Sequence, residues 1–537
     1  MYNCANHICN LYVDLSIKTQ RPKHLGMAEQ RRNMPKTVSI EKIVYGGEGL
    51  GRLADGRAVF VPFVLPGEKV QIELTEEKAR FARGLANVWL QTSADRIAAE
   101  CPYFSVCGGC HYQHMPYELQ LETKLETLRD QLSRIGGVDA TKVSEITASP
   151  QPWAYRNQIQ MQLNEDGEMG YVRADYQGIV AIQSCPIAMQ GLNELLDKLE
   201  LDPESGISRV SFREDSFGER FILLEGEDEL PPEMTIELDA SLGYLNSHQH
   251  YYHLAGNDQL HYQILGKELS LSPESFFQVN TPMAELLVEH VVKLVEQSKP
   301  YNLLELYSGA GLFSVFLAEK VSHLIAIESA PSACYDFANN LDAFENVSLY
   351  EGPVEQVLPE LLPGLKADMP DLVLLDPPRA GLHPKALDAL VKLAPKNIVY
   401  VSCDPSTLAR DLKRLAQQGY EVETIHAFDM FPQTFHVETV CLLSKLNAEH
   451  HIEVDLELDE LDLTSSESKA TYDEIKDYVL DKYGFKVSQL YVAQAKRKHG
   501  IIERENYNKG DGKAKVPQVP ADKEKAIEDA LKHFKMI

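Results

Sequence analysis

The fold is decided by the stretch Asn302-Leu-Leu-Glu-Leu-Tyr-Ser-Gly309-Ala-Gly311-Leu-Phe-Ser314. Its apolar start predicts a β-strand, and its two glycines predict a turn that opens a helix. Glycines in such a turn let the backbone approach a ligand closely at the amino end of the helix. A dinucleotide-binding turn requires a third glycine, but Ser314 takes that position. The stretch therefore indicates a ligand-binding α/β unit and disfavours a nicotinamide cofactor.

Three more apolar runs follow at helix-length intervals, at residues 324–327, 372–375 and 398–401. This alternation predicts an α/β domain at residues 268–447, with a mainly parallel sheet whose ligand lies beyond the carboxyl ends of the strands. Glu328 follows the second run, where a carboxylate can accept hydrogen bonds from both hydroxyls of a ribose. Together with the glycine turn, this carboxylate suggests a pocket for S-adenosylmethionine.

Reactive side chains follow the later strands. Asp376 precedes two prolines, which form a rigid ledge that presents its carboxylate at the ligand edge. Cys403 stands where the next strand meets the same edge. A lone cysteine is more often a small buried residue, but in this cleft it is a candidate nucleophile. Glu438 comes just before the apolar run 440–443 and is a candidate carboxylate at a further strand edge.

The segments before the α/β domain have other patterns. Short strands and glycine turns predict a small OB-like β-barrel at residues 38–95. Alternating apolar and polar residues predict an antiparallel central domain at residues 96–267, which includes a helix at 117–135. Residues 1–37 lack a hydrophobic period, which indicates a disordered tail or a gene start assigned too early.

Residues 448–537 are interpreted as a small α/β appendage of unknown role. Strict alternation at 453–459 predicts an edge strand, and two short helices are predicted at 471–482 and 488–498. A glycine-containing turn between two helices permits a helix-turn-helix, although a packing appendage fits equally well. A linker rich in glycine, lysine and proline is predicted at 508–523.

Composition narrows the function further. The 537 residues are 44% hydrophobic and 25% charged, as in an ordinary soluble globular protein. The formal net charge of -28 excludes a protein drawn to nucleic acid by its overall field, so an RNA or DNA site must come from local motifs. No stretch reaches the roughly 20 apolar residues of a membrane span, and no secretory pattern opens the chain. We therefore expect a cytoplasmic protein without membrane contact.

Four cysteines indicate a metal site. Cys101, Cys107 and Cys110 lie close along the chain, and Cys185 can supply a fourth thiolate. In a reducing compartment such a cluster is more often a metal site than a disulfide framework. The spacing alone is compatible with zinc or with an iron–sulfur cluster, because both accept four thiolates.

Taken in order along the chain, the motifs resemble those of the RNA 5-methyluridine methyltransferases, which act on uracil in bacterial ribosomal and transfer RNA. The matching segments are Ser272-Pro-Glu-Ser-Phe276-Phe-Gln278, the glycine turn, Asp376-Pro-Pro-Arg379, Ser402-Cys403-Asp-Pro and Phe431-Pro-Gln-Thr-Phe-His-Val-Glu438. The resemblance covers residues 38–447. It implies an RNA-binding TRAM domain in the first module and a class I Rossmann-like methyltransferase domain in the last. Phe435 departs from the family, where small residues are common at this position, and Ser308 stands where many members carry cysteine.

The resemblance also implies roles for individual residues. Those that would hold S-adenosylmethionine are Gln278, Tyr307, Glu328 and Asp376. Cys403 would be the nucleophile and Glu438 the base, while Phe276 would contact the extruded uracil. This chemistry requires such groups, because carbon 5 of uracil attacks a methyl group only after a thiolate has added at carbon 6. A base must then remove the carbon 5 proton from a uridine that has left the stacked helix.

The same resemblance implies that Cys101, Cys107, Cys110 and Cys185 hold a 4Fe–4S cluster. By analogy, the TRAM domain and the cluster together favour 23S ribosomal RNA as the substrate. Two alternatives stay open: a methyltransferase for transfer RNA uracil, and a non-enzymatic iron–sulfur factor for RNA binding or assembly. The intact Cys403 and Glu438 argue against the second alternative.

Overall fold

The computed structural model describes residues 35–232, 239–365, 369–446, 472–499 and 519–534. Its strands are β1 (Lys36–Ile43), β2 (Glu48–Arg52), β3 (Ala58–Pro62), β4 (Lys69–Glu77), β5 (Phe81–Gln91), β6 (Val143–Thr147), β7 (Gln158–Leu163), β8 (Met169–Val172), β9 (Ile179–Ala181), β10 (Ile207–Glu214), β11 (Arg220–Gly226), β12 (Ser241–Asn246), β13 (Tyr251–Ala255), β14 (Leu260–Ile264), β15 (Lys267–Leu271), β16 (Asn302–Leu306), β17 (His323–Glu328), β18 (Val347–Glu351), β19 (Leu372–Leu375), β20 (Asn397–Ser402), β21 (Tyr420–Phe428) and β22 (Glu438–Lys445). Its α-helices are α1 (Tyr117–Gln131), α2 (Gln190–Lys198), α3 (Thr281–Ser298), α4 (Ser314–Leu317), α5 (Pro331–Asn340), α6 (Val354–Leu361), α7 (Pro384–Leu393), α8 (Pro405–Ala416), α9 (Tyr472–Tyr483), α10 (Gln489–Lys498) and α11 (Ala521–His533).

The first five strands close into a barrel in the order β1-β2-β3-β5-β4, as the glycine-punctuated pattern predicted. Alternate residues point inward, and Val38, Val59 and Ile72 are fully buried between the strands. Strand β2 needs glycine because its neighbours come very close. A Cβ atom at Gly51 would lie 2.4 Å from the Val38 side chain. The barrel begins at Lys36 in β1, and residues 1–34 lie outside the described part of the chain.

The central region forms a seven-stranded sheet in the order β13-β12-β11-β10-β7-β8-β9. Neighbouring strands are antiparallel, as predicted, except that β11 and β12 run parallel. One face of the sheet packs on α2, where Leu192 and Leu195 join Phe212 in a shared core. This sheet and its helix lie beside the cysteine loop, residues 101–110.

The large sheet has eight strands in the order β18-β17-β16-β19-β20-β22-β21-β6. The first five strands in this order, β18, β17, β16, β19 and β20, are parallel to one another. Strand β22 is antiparallel to both of its neighbours. The four apolar runs seen in the sequence are its central strands, and two apolar clusters cover the two faces. The edge strand β6 comes from the region interpreted as the central domain. Its short polar sequence, Val-Ser-Glu-Ile-Thr, carries no strong strand pattern.

Helix α1 forms where the leucine spacing predicted it, but only the later part of the leucine face is fully buried. Leu128, and Leu132 just after the helix, lie in the core, whereas the leucines at 119, 121 and 125 are only partly covered. A polar face with Gln120, Thr123 and Lys124 is buried as well. After Gln131 the chain continues through one wider helical turn to Gly136. The polar face is buried because it meets a polar loop after β21, described below.

The two helices predicted near the carboxyl terminus are α9 and α10, and a third helix, α11, packs on both. Their shared core includes Val479, Val492 and Ile527. The predicted linker overlaps the start of α11, because residues 521–523 are helical; its earlier part and the predicted strand at 453–459 lie outside the described residues. The unit contacts the large sheet's layer through the pair Lys476–Asp342, at 3.3 Å. None of the helices that the structure describes is both long and apolar enough to cross a bilayer.

Candidate active site

Three predicted site residues meet at one edge of the large sheet. Asp376 follows β19, Cys403 follows the adjacent β20, and Glu438 opens β22. Because β22 runs antiparallel to β20, its first residue lies at the carboxyl end of β20. Ser402 pairs with Thr439 there, and the Thr439 hydroxyl donates to the Ser402 carbonyl at 3.0 Å. The thiol and the two carboxylates therefore come from three neighbouring strands.

The two carboxylates of this edge influence each other. Glu438 is only 4% exposed, and burial, followed by the charge of Asp376, raises its pKa well above the ordinary value of a glutamate. Arg379 acts in the opposite direction on Glu438. Desolvation raises the pKa of Asp376 to about 7. Since ionisation of one carboxylate opposes ionisation of the other, the pair can hold a proton near neutral pH.

The glycine turn follows β16 and is tied to the next strand. Tyr307 adopts a φ of +62°, and its N–H donates to the carbonyl of Ile327 at 2.9 Å. Gly311 has a φ of +90°, and a Cβ atom there would lie 2.5 Å from the side chain of Leu341. Position 311 therefore requires glycine, both for its backbone angle and because the turn packs closely against Leu341.

Glu328 ends β17 directly beside the turn. Its Oε2 accepts the N–H of Gly309 at 2.9 Å, while its Oε1 accepts the N–H groups of Ser329 and Ala330 at 2.6 and 2.8 Å. A carboxylate can accept about four hydrogen bonds. Oε2 therefore retains acceptor capacity toward the turn, where the hydroxyls of a nucleoside would bind.

The segment before α3 carries the other two residues of interest. Gln278 is buried, and its carbonyl accepts the Asn157 side-chain amide at 3.0 Å. Phe276 is 49% exposed, so its ring is available to a base. The buried Arg213 on β10 donates to the carbonyl of Ser275 at 2.7 Å. The central sheet thus fixes the backbone of this segment.

The loop after β21 is anchored by residues that the sequence pattern did not reveal. Asp429 forms a fully buried ion pair with Lys124 of α1, at 2.5 Å. Asp429 also accepts the Tyr117 hydroxyl at 2.8 Å, and the side chains of Gln120 and Gln433 bond at 3.0 Å. These partners lie about 300 positions apart in sequence, so no local pattern could have found them.

Glu305, inside the glycine-turn stretch, was also missed. It is buried and accepts the hydroxyl of Ser314, and burial raises its pKa to about 8. Burial is the main cause of this raised pKa, the hydrogen bond from Ser314 opposes it, and the charges of Asp376 and Glu328 contribute in the same direction as burial. Its place in the middle of an apolar strand was the available signal. Both faces of a parallel sheet are covered, so a carboxylate there is buried whichever face it points to.

The four cysteines line one cavity of about 200 Å³ next to the central sheet. The thiols of Cys101, Cys107 and Cys110 each interact electrostatically with that of Cys185, and burial raises the pKa of Cys107 to about 11. None of the four forms a disulfide. Within the described ranges, no group of three or more histidine, cysteine or acidic residues is close enough to bind a metal ion. The structure thus brings the predicted ligands to one cavity without showing a metal site.

Comparison with known proteins gives consistent matches. The tRNA (uracil-5-)-methyltransferase family model matches residues 258–356 and 364–446, and the TRAM domain model matches residues 34–86. A relative from Streptomyces avermitilis, named uncharacterized RNA methyltransferase, is 34% identical over 430 residues, which are 76% of this chain and 97% of that protein. A relative of the same name from Aquifex aeolicus is 31% identical over 429 residues, 77% of this chain and 99% of that protein.

Among solved structures, a crystal structure from Pyrococcus abyssi aligns with a TM-score of 0.60 and 27% identity. It is the tRNA (uracil-54, C5)-methyltransferase in complex with S-adenosyl-L-homocysteine. The alignment covers 76% of this chain and 100% of that chain.

Proposed function

Because the chain belongs to the RNA uracil-5 methyltransferase family, we propose that it methylates carbon 5 of a uridine in 23S ribosomal RNA through a covalent bond to Cys403. Methyl transfer from S-adenosylmethionine to RNA is the activity of this family. The observation that carries the covalent step is the meeting of Cys403 and Glu438 on antiparallel neighbours, with Asp376 on the next strand. Together they provide a nucleophile and a base at one ligand edge.

Cys403 performs the first step in this proposal. Its thiolate adds to carbon 6 of uracil, and the displaced π electrons give carbon 5 the character of an enolate carbon. That carbon can attack an electrophilic methyl group, which carbon 5 of free uracil does poorly. Cys403 is half-buried in the loop before α8, which suits a base flipped out of its RNA.

S-adenosylmethionine, when bound, supplies the methyl group from its sulfonium and leaves as a neutral thioether. The residues proposed to hold it are Gln278, Tyr307, Glu328 and Asp376. The acceptor capacity left on Glu328, beside the glycine turn, fits a nucleoside with ribose hydroxyls. The neighbouring carboxylates also suit a ligand that carries positive charge.

Glu438 completes the reaction. Its carboxylate removes the proton from carbon 5, and the C–H electron pair re-forms the double bond between carbons 5 and 6. The bond from carbon 6 to sulfur breaks, and Cys403 leaves as a thiolate. A base with a raised pKa suits this step, because it holds the proton strongly at neutral pH.

The choice of 23S ribosomal RNA rests on the combination of a TRAM domain with four clustered cysteines. Transfer RNA is the second candidate, and the aligned archaeal structure favours it because that enzyme's name gives a tRNA uracil as its target. The alignment covers the full length of that tRNA enzyme. Its extent therefore gives no reason to prefer ribosomal RNA to transfer RNA.

The substrate is tested by methyl transfer to unmodified 23S ribosomal RNA and to unmodified transfer RNA, followed by mapping of the modified uridine. We expect 5-methyluridine in the ribosomal RNA. Methylation of transfer RNA alone would contradict ribosomal RNA as the substrate. Methylation of neither RNA would support the alternative of a non-enzymatic factor for RNA binding or assembly. Cys403→Ala should abolish transfer, whereas Cys441→Ala, which alters a buried cysteine of β22, should retain it.

The two catalytic roles are separated by trapping the covalent intermediate. Glu438→Gln leaves attack and methyl transfer intact but removes the proton acceptor, which contributes about a hundredfold to ten-thousandfold in rate. A methylated protein–RNA adduct should then accumulate as a slow band on a denaturing gel. Glu421→Gln, at the surface of β21, should behave as wild type. Wild-type turnover by Glu438→Gln, or an adduct formed by Cys403→Ala, would make the assignment wrong.

We further propose that Cys101, Cys107, Cys110 and Cys185 hold a 4Fe–4S cluster, which would order the central domain. The support is that four thiols line one cavity. Such a cluster binds each thiolate to a different iron, so its sulfurs lie farther apart than around a single ion.

Chemical analysis tests this proposal. Anaerobically purified protein should be brown and contain iron and sulfide. Cys107→Ala should lose both, while Cys334→Ala, a buried cysteine of α5, should keep them. Stoichiometric zinc without visible absorption would contradict the cluster.

A further inference from the structure

The first turn of the barrel reaches the active-site edge of the large sheet. This turn, Tyr45-Gly46-Gly47, joins β1 to β2, and both glycines have positive φ angles, +103° and +83°. A Cβ atom on Gly47 would lie 3.2 Å from the Cβ atom of His111 and 3.5 Å from the ring of Phe435. The turn therefore lies between His111, the residue after the cysteine loop, and the loop that leads to Glu438.

Tyr45 makes the direct link. Its hydroxyl donates to Oδ2 of Asp404 at 2.8 Å, and Asp404 is the residue after Cys403. The other carboxylate oxygen, Oδ1, accepts the N–H groups of Ser406 and Thr407, both at 2.9 Å, and so caps α8. One oxygen of Asp404 thus fixes the start of the helix, while the barrel holds the other.

The ring of Tyr45 is packed as well as hydrogen-bonded. It packs edge-on against the ring of Phe435, with 5.5 Å between the ring centroids. The ring of Phe435 also contacts the rings of His111 and His436, at centroid distances of 4.6 and 4.1 Å. Arg379 lies 3.2 Å from His436. The barrel, the segment just after the cysteine loop and the loop that leads to Glu438 therefore meet in one small group of rings.

The surroundings keep Tyr45 a donor. Burial raises its pKa above the ordinary range, and the charge and hydrogen bond of Asp404 raise it further. Cys403 contributes in the same direction, whereas Arg379 lowers the pKa. The phenol is therefore neutral at physiological pH and keeps its proton for Asp404.

We propose that Tyr45 is a positioning residue of the methyltransferase site: through Asp404 it holds the loop that carries Cys403. The inference rests on the proposed covalent role of Cys403. It makes the barrel a structural part of the active site in addition to an RNA-binding module. The packing of the barrel against the sheet and the position of the Cys403 loop are then coupled through a single hydrogen bond, from Tyr45 to Asp404.

The test uses the full chain with Tyr45→Phe, which keeps the ring packing and removes only the hydroxyl. RNA that carries 5-fluorouridine is the substrate. Carbon 5 then holds fluorine in place of the proton that the base must remove, so the methylated adduct accumulates. Its rate of formation at saturating RNA then reports the steps up to methyl transfer. We expect this rate to fall about tenfold, the typical effect of one hydrogen bond to a charged group. The affinities for RNA and for S-adenosylhomocysteine should not change.

A matched control is Tyr420→Phe, which removes a phenol hydrogen bond to the Pro395 carbonyl, 2.9 Å long and away from the site. This variant should form the adduct at the wild-type rate. Asp404→Asn can keep the oxygen that caps α8, but it replaces the oxygen that accepts from Tyr45 by an NH2 group and removes the charge. If Tyr45 acts through Asp404, the double variant should be no slower than the slower single variant, since both changes affect one interaction. Additive losses would overturn the proposal.

Hydrogen exchange supplies a readout that does not depend on methylation. In Tyr45→Phe the amides of Ser406 and Thr407, which Asp404 caps, should exchange faster than in wild type. If wild type forms no adduct but this exchange responds, the covalent function is wrong, although Tyr45 still orders the loop through Asp404. If wild type forms the adduct and Tyr45→Phe matches it in both measurements, Tyr45 does not position the loop.

Discussion

Among single residues, the two glutamates of the site show how surroundings divide the roles of one residue type. Glu328 accepts three backbone N–H groups, which fix it as an acceptor beside the glycine turn. Glu438 lies buried near Asp376 and Arg379, and its carboxylate form is disfavoured. The first arrangement suits binding and the second suits proton transfer.

Glu328→Ala should weaken binding of S-adenosylmethionine by roughly 1.5–3 kcal/mol, as expected for lost hydrogen bonds to a charged group. Isothermal titration calorimetry measures the change. Glu296→Ala, which removes a surface carboxylate of α3 paired with Lys320, serves as the control and should bind normally. Unchanged affinity in Glu328→Ala would remove this residue from the cofactor site.

The pH dependence of product release should report Glu438. Only the carboxylate form can take the proton, and burial and Asp376 raise its pKa above the ordinary glutamate value of 4.5. Release should therefore slow as pH falls through this raised pKa, well above pH 4.5. Asp376→Asn removes a like charge and should move the acid limb to lower pH at saturating cofactor. An acid limb that stays in place would show that Asp376 does not set the pKa of Glu438.

Among the elements, helix α1 has a role that its sequence conceals. Its leucines suggested an ordinary apolar face, and Leu128 is indeed buried, but the other buried residues are polar and several of them hold the loop of Asp429. That loop leads to Glu438. In addition to its apolar contacts, the helix therefore packs by hydrogen bonds and one buried ion pair, which position the loop more specifically than apolar contacts alone would.

Lys124→Met should lower the free energy of unfolding by about 3–5 kcal/mol, because it leaves the buried charge of Asp429 unpaired. Lys142→Met, which breaks a surface pair with Glu421, should cost less than about 1 kcal/mol. Denaturation followed by circular dichroism compares the two variants. A further change, Asp429→Leu in the Lys124→Met background, should recover part of the loss. Equal costs for the buried and the surface pair would contradict this account of α1.

At the scale of the whole molecule, all proposed catalytic and cofactor residues come before residue 447. The carboxyl-terminal helices contact α5 through Lys523, whose Nζ lies 5.4 Å from the ring centroid of Tyr335, and the turn after α5 through the ion pair Lys476–Asp342. They form their own apolar core. The unit is therefore attached to the outside of the methyltransferase sheet.

A chain that ends before residue 448 should retain the wild-type kcat, because the removed helices supply no group to the site. Steady-state methyl transfer to unmodified RNA measures this. A chain that ends at residue 499 is the contrasting variant, since loss of α11 alone exposes Val479 and Val492 and should cause aggregation. A folded short chain without activity would instead make these helices part of the substrate surface.

The sequence by itself determined the features that arise from local patterns. Apolar runs between helix-length segments specified the parallel strands, and the glycine turn at 309–311 specified the ligand edge. Residue type and strand position made Asp376 and Cys403 candidates, and the family resemblance added the role of Glu438; the structure brings these three residues to one edge of the sheet. The motif order was sufficient to recognise the family, because each motif lies within a few consecutive residues.

Only the tertiary structure decided the contacts between distant segments. Tyr45 and Asp404 lie 359 positions apart, and Tyr117 and Asp429 lie 312 apart. The edge strand β6 was missed because pairing with β21 stabilises it, whereas its own composition does not. Hydrophobic periodicity reports how one element is buried, but it carries no record of which element covers it. A hydrogen bond between distant segments, such as that from Tyr45 to Asp404, produces no periodic pattern in the sequence.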